Sequence, residues 1–203
     1  MKKILTLLAA LLLVASASAE FRWGPTAGVN ISELKYKQDL FTVDQTVGGS
    51  VGVLGELMFP GIGFGLDVGL LYEMHGAKQH FGERKIWASD GIGTETSYLH
   101  YIQIPINLRF KYTRLNGIED KIAPFIYGGP IFSILAGHND VAPLDYSHGY
   151  IGLQCGLGAE IFKRFQVSAG YYWDMTYETI TKKLENFSSK ARGWQVKLTY
   201  FIK

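Results

Sequence analysis

The sequence predicts an all-β protein, an eight-stranded antiparallel up-and-down transmembrane β-barrel. Three observations lead to this prediction. Apolar and polar residues alternate along eight segments, as they do in strands whose two faces meet different surroundings. Glycine is abundant at 24 residues, and aromatic residues make up 14% of the chain. Long and short connections between the segments also alternate, which is the pattern of a membrane-spanning barrel.

The N-terminus predicts a cleaved export signal. Positive charge at Lys2 and Lys3 precedes an apolar stretch and the small-x-small cleavage site at 17–19. The apolar stretch is too short to span a bilayer as a helix, which needs about 20 residues. We therefore expect 1–19 to be a cleaved signal peptide and 20–203 to form one barrel domain in the outer membrane of a bacterium.

Charge and cysteine content exclude several classes of protein. Once Lys2 and Lys3 are removed with the signal, the 20 Lys and Arg residues of the chain fall to 18, equal to its 18 Asp and Glu. This balance gives no support for a nucleic-acid partner. The single cysteine, Cys155, rules out an intramolecular disulfide framework and is interpreted as a small apolar strand residue.

The alternation defines the predicted strands in order. In the first, Trp23 and Val29 share the apolar face, whereas Arg22 and Asn30 lie on the polar one. The same two-residue period continues through the other segments except the fifth, which is apolar on both faces. The fifth also contains prolines, which cannot donate to a ladder, so a bulge or distortion is expected there. The segments lie at residues 22–31, 47–59, 62–74, 98–112, 122–135, 151–161, 165–175 and 194–202.

The connections indicate which ends of the strands meet. Pro60-Gly61 and Lys163-Arg164 are tight turns, and residues 113–120 form a moderate connection. With a periplasmic N-terminus, the longer connections all face outward. The predicted outer loops are residues 32–46, 75–96, 137–147 and 178–192.

The composition of the polar face separates a membrane barrel from a soluble one. A water-facing exterior would carry many long Lys and Glu side chains, but this face is mainly Gly, Ser, Thr, Asn and Gln. Small residues suit the narrow interior of an eight-stranded barrel. Its isolated charges must pair or meet water. We interpret them as a structural plug and keep conduction as the alternative; they are Arg22, Glu56, Asp67, Glu73, Arg109, Lys111, Glu160, Asp174 and Lys197.

Aromatic residues near the ends of the segments predict interfacial girdles, where amphipathic rings lie at the level of the headgroups. The apolar face that these residues border would meet outer-membrane lipid. The predicted girdle residues are Trp23, Tyr72, Tyr98, Tyr112, Trp173 and Trp194.

Catalysis and metal binding receive little support. His75 and His80 lie near Glu83, Ser89 and Asp90, which supply the residue types of a hydrolytic site but no motif that fixes their geometry. The two histidines also lack a third clustered ligand for a metal. We expect no catalytic residues, no metal and no cofactor. A lipid A-modifying enzyme remains a minor alternative.

Four segments of the chain carry a family resemblance: GPTAGVN (24–30), YIQIP (101–105), APFIYGGP (123–130) and GLGAE (156–160). They resemble the small outer-membrane β-barrel proteins of Bacteroidetes, often labelled PorT-like. The resemblance extends over residues 21–203. It implies the fold and the location more than an activity, and the family supplies no catalytic residue. The family's namesake belongs to a protein-secretion machine of the outer membrane, so the resemblance implies such a machine as an alternative role.

The sequence thus predicts a non-enzymatic, monomeric barrel with a structural or interaction role exercised through its outer loops. A component of an envelope or secretion machine is the first alternative. The apolar loop residues either form a contact surface for another envelope protein or pack on the rim of the barrel itself, and the sequence leaves both open. These residues are Phe81, Ile86, Trp87, Ile180, Leu184 and Phe187.

Overall fold

The computed structural model describes most of the chain after the predicted signal. Residues 1–19, the Pro60-Gly61 turn and the loop residues Leu184 and Phe187 lie outside the described parts, so the predictions made for them stay predictions. The described residues are 20–37, 41–59, 63–112, 118–182 and 188–202.

Strands dominate the described residues. The short helical pieces are α1 (Lys85–Ala88) and two 3₁₀ turns, Phe81–Glu83 and Ile118–Asp120. None of the described helices is long and apolar enough to cross a membrane. The strands are β1 (Glu20–Tyr36), β2 (Val43–Met58), β3 (Phe64–His80), β4 (Thr94–Lys111), β5 (Ile122–His138), β6 (Leu144–Tyr146), β7 (Gly149–Ile161), β8 (Phe165–Asp174), β9 (Thr179–Thr181) and β10 (Ser188–Tyr200).

The eight long strands close into an antiparallel barrel. Their order is β1-β2-β3-β4-β5-β7-β8-β10, and β10 pairs back with β1 from Thr26–Thr199 to Tyr36–Ser189. Closure removes the open edges, so each long strand pairs its backbone with two neighbours, as hydrocarbon requires. The predicted eight-stranded antiparallel barrel is confirmed.

At the end that carries the long connections, the strands run further than predicted. β1 continues to Tyr36, β3 continues to His80, and β4 begins at Thr94. The short strands β6 and β9 pair with each other inside connections predicted to be loops, and β9 also pairs with β10. The predicted limits were wrong because the apolar alternation stops where lipid stops, whereas the backbone ladder continues beyond it.

The distortion expected at the prolines of β5 occurs on one side of the strand only. The β5–β7 ladder passes through Pro124 and Pro130 without a shift. The β4–β5 pairing, in contrast, is interrupted at Pro130, between Ile131 and Gly128. The carbonyl of Pro124 accepts the N–H of Tyr112 at 2.9 Å, so Pro124 faces β4 and the ladder with β7 loses no donor. A register shift in the β4–β5 ladder follows near the outer end of β5.

The two faces of the barrel are inside-out relative to a water-soluble protein. Large apolar side chains are exposed on the exterior, with Val47 at 66% and Leu157 at 65%. Polar side chains such as Gln103 and Asn107 point inward and are buried. Cys155 is exposed on the outer face of β7. Such a surface is stable only in an apolar solvent.

Candidate functional site

An inner plug of six charged side chains fills the bore near the short-turn end. The side chains come from five strands, and each is at most 8% exposed. They point inward because they share the polar phase of their strands, and the register brings Arg22 opposite Glu56 and Glu56 opposite Asp67. Three cations therefore meet three carboxylates, so the plug is formally neutral. It comprises Arg22, Glu56, Asp67, Arg109, Lys111 and Glu160.

Ion pairs connect the plug across the bore. Lys111 Nζ lies 2.9 Å from Glu56 Oε1 and 2.7 Å from Glu160 Oε2. Arg22 pairs with both glutamates, and its Nη2 lies 2.5 Å from Glu160 Oε2. Arg109 Nε donates to Asp67 Oδ2 at 2.8 Å. Each buried charge has an opposite partner, which offsets the large cost of removing these groups from water.

Aromatic rings complete the plug, and glycines make room for them. The guanidinium of Arg109 lies 4.1 Å from the centre of the Phe125 ring, a cation–π contact. A Cβ atom at Gly158 would come within 2.3 Å of that ring, and one at Gly170 within 2.3 Å of the Tyr127 hydroxyl. The inward glycines therefore let large rings lie across a narrow interior.

A layer of amides and hydroxyls lies above the plug. Gln195 donates to Gln154 at 2.7 Å, and Gln154 donates to Asn107 at 2.8 Å. Thr199 donates to Thr26 at 2.8 Å. A cavity of about 30 Å³ beside this layer has room for water-sized occupants only. The middle of the bore is therefore filled with hydrogen-bonded side chains.

An outer polar cluster follows toward the loop end, and it contains two residues that sequence reasoning placed in loops. His75 Nε2 lies 2.9 Å from Glu178 Oε1, and both side chains are fully buried. Glu73 lies 3.9 Å from His75 Nδ1 and 3.8 Å from Lys197 Nζ. Asp174 accepts the backbone N–H of Ala191 and stays apart from the inner plug. The inward position of His75 could have been predicted from β3, because the inward-facing alternation of that strand continues past Glu73.

A mouth cluster of apolar side chains closes the outer end of the barrel. Phe81 and Trp87 are 0% exposed, and their ring centres lie 4.7 and 5.4 Å from that of Phe41. The sequence left two interpretations of the apolar loop residues open. Phe81 and Trp87 pack on the rim of the barrel itself, whereas Ile86 is 40% exposed. The buried members are Leu34, Tyr36, Phe41, Ala77, Phe81, Trp87, Ile131, Val141, Leu144, Tyr172 and Ala191.

The second outer connection is tied to the first by a surface carboxylate. Glu83 Oε2 accepts the backbone N–H of Thr42 at 2.8 Å. This hydrogen bond holds the pKa of the Glu83 carboxyl below its usual value because it favours the charged form. The contact fixes the segment that carries Phe81 and Trp87 over the mouth.

A family model described as "Outer membrane protein beta-barrel domain" matches residues 15–177. The chain belongs to this family. Membership of the outer membrane protein β-barrel domain family agrees with the closed barrel and with its apolar exterior, and it gives the bacterial outer membrane as the location. No curated protein matches the chain.

Several solved structures of outer membrane barrels are similar to the chain. The chain is 11% identical to OprG from Pseudomonas aeruginosa, with 91% of this chain and 95% of that chain covered and a TM-score of 0.56. It is 12% identical to Ail of Yersinia pestis, solved with a heparin analogue (90% and 99% covered, TM-score 0.44). It is 14% identical to the outer membrane enzyme PagL (84% and 97% covered, TM-score 0.38). The likeness to OprG shows the fold alone.

The predicted girdle residues of this outer membrane barrel all lie on its exterior. Trp23 and Tyr112 are exposed near the short-turn end. Tyr72, Trp173 and Trp194, the upper girdle, are exposed nearer the loop end of their strands. Tyr98 lies beyond this upper row, because Tyr72 pairs with Ile102, which is four residues nearer the short-turn end of β4 than Tyr98. Their place at the membrane surface stays a prediction.

A hydroxyl, an imidazole and a carboxylate meet on the outer surface. His80 lies 3.0 Å from Thr94 Oγ1 through Nδ1 and 2.9 Å from Asp44 Oδ2 through Nε2. The order resembles a catalytic triad, but the side chains of His80 and Asp44 are 27% and 52% exposed. Water around such a site weakens each electrostatic contact. The exposed loop residues Glu83, Ser89 and Asp90, which lie near His75 in the sequence, are on the surface, whereas His75 is buried inside the barrel.

The described residues contain no group of three or more His, Cys, Asp or Glu side chains placed to hold a metal ion.

Proposed function

We propose that the chain is a closed, non-conducting and non-enzymatic outer-membrane barrel that acts through the outward surface of its extracellular loops. One observation carries this proposal: the bore is filled in successive layers, from the ion-paired inner plug to the apolar mouth cluster. A molecule cannot pass without displacing paired charges and packed rings together. The inner charges act as a structural plug, and the activity of the protein lies on its outside.

The loop surface supplies the contacts for a partner. Ile86 and Tyr177 are exposed at the outer end at 40% and 47%, and the exposed Lys85 adjoins Ile86 in the chain. Exposed apolar residues framed by charges are typical of a protein contact surface. The partner is another protein of the envelope, and the barrel itself is a monomer that contacts lipid through its girdles.

Two narrower assignments belong to the same proposal. We assign the chain to the PorT-like barrels of Bacteroidetes, on the four segments that resemble them. We also propose that it is exported through a signal peptide cleaved after Ala19. A component of a secretion machine is the alternative within this family. In that alternative the partner contacts the end of the barrel opposite the outer loops.

Site-specific photo-crosslinking in the native membrane tests the proposal. A crosslinker is placed at Ile86 or Tyr177 on the outer surface, and at the exposed residues Ile118 and Phe162 at the opposite end as matched controls. We expect one defined protein to be captured from the outer positions only. Capture from the control positions only, together with a large assembly in mild detergent, would contradict this proposal and support the machine-component function. Absence of any captured protein would contradict the interaction role.

A further inference from the structure

A cationic patch lies on the exterior of the barrel, just beyond the upper edge of the apolar band. On this edge Ile31 of β1 pairs with Trp194 of β10. Past this pair the outward positions carry charged residues instead of apolar ones: Glu33 pairs with Arg192, and lysines follow on both strands. At about 3.3 Å per residue, the patch begins roughly 7 Å along the strands from Trp194. Its members are Lys35, Lys37, Lys190 and Arg192.

Two lysines of the patch face each other directly. Lys35 and Lys190 are partners in the β1–β10 register, and both side chains are exposed. Like charges in opposed positions on a sheet destabilise it. The ammonium of Lys190 donates to the carbonyl oxygen of Met175, which holds its charge in place without neutralising it. An anion from outside the protein would reduce the repulsion between the two lysines.

Among the described residues, the carboxylates near the patch already have partners. Glu33 forms an ion pair with Arg192, in the row nearer the girdle than the lysines. Asp174 borders the depression, but its carboxylate is buried and accepts the N–H of Ala191, and Glu178 binds His75 inside the barrel. The described residues of the patch therefore carry a net positive charge, which an anion from outside the protein would balance.

The patch surrounds an open depression with an aromatic wall. The depression has a volume of about 340 Å³, large enough for a sugar phosphate. Trp173 of the upper girdle lines it and pairs with Arg192 in the β8–β10 register. Ser188 also lines it. A ligand held here would have one charged part among the lysines and one apolar part against the girdle.

We propose that the cationic patch binds the phosphate of a lipid headgroup in the outer leaflet of the outer membrane. A phosphorylated glycolipid presents its phosphate just above its acyl chains, which is the level at which the lysines lie above the girdle. Basic side chains at a membrane surface attract anionic headgroups. This inference concerns the lipid-facing exterior and does not depend on the interaction role proposed for the loops.

Native mass spectrometry of the purified barrel tests the proposal with lipid A and its dephosphorylated form as probes. The double variant K35Q/K190Q removes the opposed charges, and K78Q/K85Q makes the same charge change outside the patch. We expect the wild type and K78Q/K85Q to prefer the phosphorylated lipid, and K35Q/K190Q to bind it about thirtyfold less tightly. The heat-dependent gel shift checks that each variant is folded, and K37E provides a second, single-residue variant with the same expected direction.

Three results would overturn the proposal. Equal retention of the two lipids by the wild type, or unchanged retention by K35Q/K190Q, would remove the phosphate site. Binding of inorganic phosphate alone, with the same dependence on the two lysines and no preference for the lipid, would assign the patch to a soluble anion.

Discussion

Arg22 on β1 and Glu160 on β7 form an ion pair across the bore, with 2.5 Å between Nη2 and Oε2, although β10 and β8 separate their strands. The pair spans the interior instead of running along one wall. Lys111 on β4 reaches the same carboxylate from another side at 2.7 Å. A bore crossed by such contacts is a closed core, and this property underlies the predictions below.

Replacement of Arg109 by alanine should lower the free energy of unfolding by about 3 kcal/mol. The variant leaves Glu56 and Asp67 buried without their shared guanidinium partner. Urea unfolding in detergent, followed by the heat-dependent gel shift, measures the change. Arg164→Ala, at an exposed turn residue, is the matched control and should be neutral. Equal stability of the two variants would show that the plug contributes nothing to the fold.

The buried pair of His75 and Glu178 should show strong coupling in a double-mutant cycle. His75→Ala leaves a buried carboxylate unpaired, so it should cost about 3 kcal/mol. Adding Glu178→Gln removes that carboxylate charge and should restore part of the loss. Unfolding midpoints of the two single variants and the double variant give the coupling energy. Additive effects would mean that the two groups do not act as a pair.

Trp87 and Ile86 are adjacent in the chain but should differ sharply in their effect on stability. Trp87 is 0% exposed in the mouth cluster, so Trp87→Ala should cost about 3 kcal/mol through lost burial and a cavity. Ile86 is 40% exposed, and Ile86→Ala should change stability little. Thermal unfolding of both variants in the same detergent makes the comparison. Similar losses would contradict the packed mouth.

Substitution of the surface group formed by Thr94, His80 and Asp44 should leave the membrane lipids unchanged. Thr94→Ala and His80→Ala each remove one member of the arrangement while keeping the strand pairing. Lipid A extracted from cells with the wild type, either variant or no protein should have one profile by mass spectrometry. A species that depends on both side chains would show an enzyme and refute the non-enzymatic function.

The barrel and its two faces follow from the sequence alone, because the alternation of side chains reports which face meets lipid. The inward position of residues such as Arg22 and Lys197 comes from the same period. The pairing of Arg22 with Glu160 does not, since it depends on closure and on the register of strands that are not adjacent. His75 was assigned to a loop because the apolar alternation ends at Met74 while the ladder continues to His80.

The packing of the outer end could be predicted only in part. Phe81 and Trp87 stand among charged residues in the sequence, so a contact surface and a sealed mouth give the same pattern. Their burial depends on contacts with Phe41, which lies 40 or more residues away in the chain. No local periodicity in the sequence indicates long-range packing of this kind.

Single-channel recording in a planar bilayer tests the central claim, a closed bore, most directly. The purified barrel should insert without producing current steps in concentrated potassium chloride, because the inner plug and the mouth cluster fill the bore. The heat-dependent gel shift of the same sample confirms that folded protein was added. A steady, reproducible conductance from the wild type would contradict the account and assign the inner charges to an ion path.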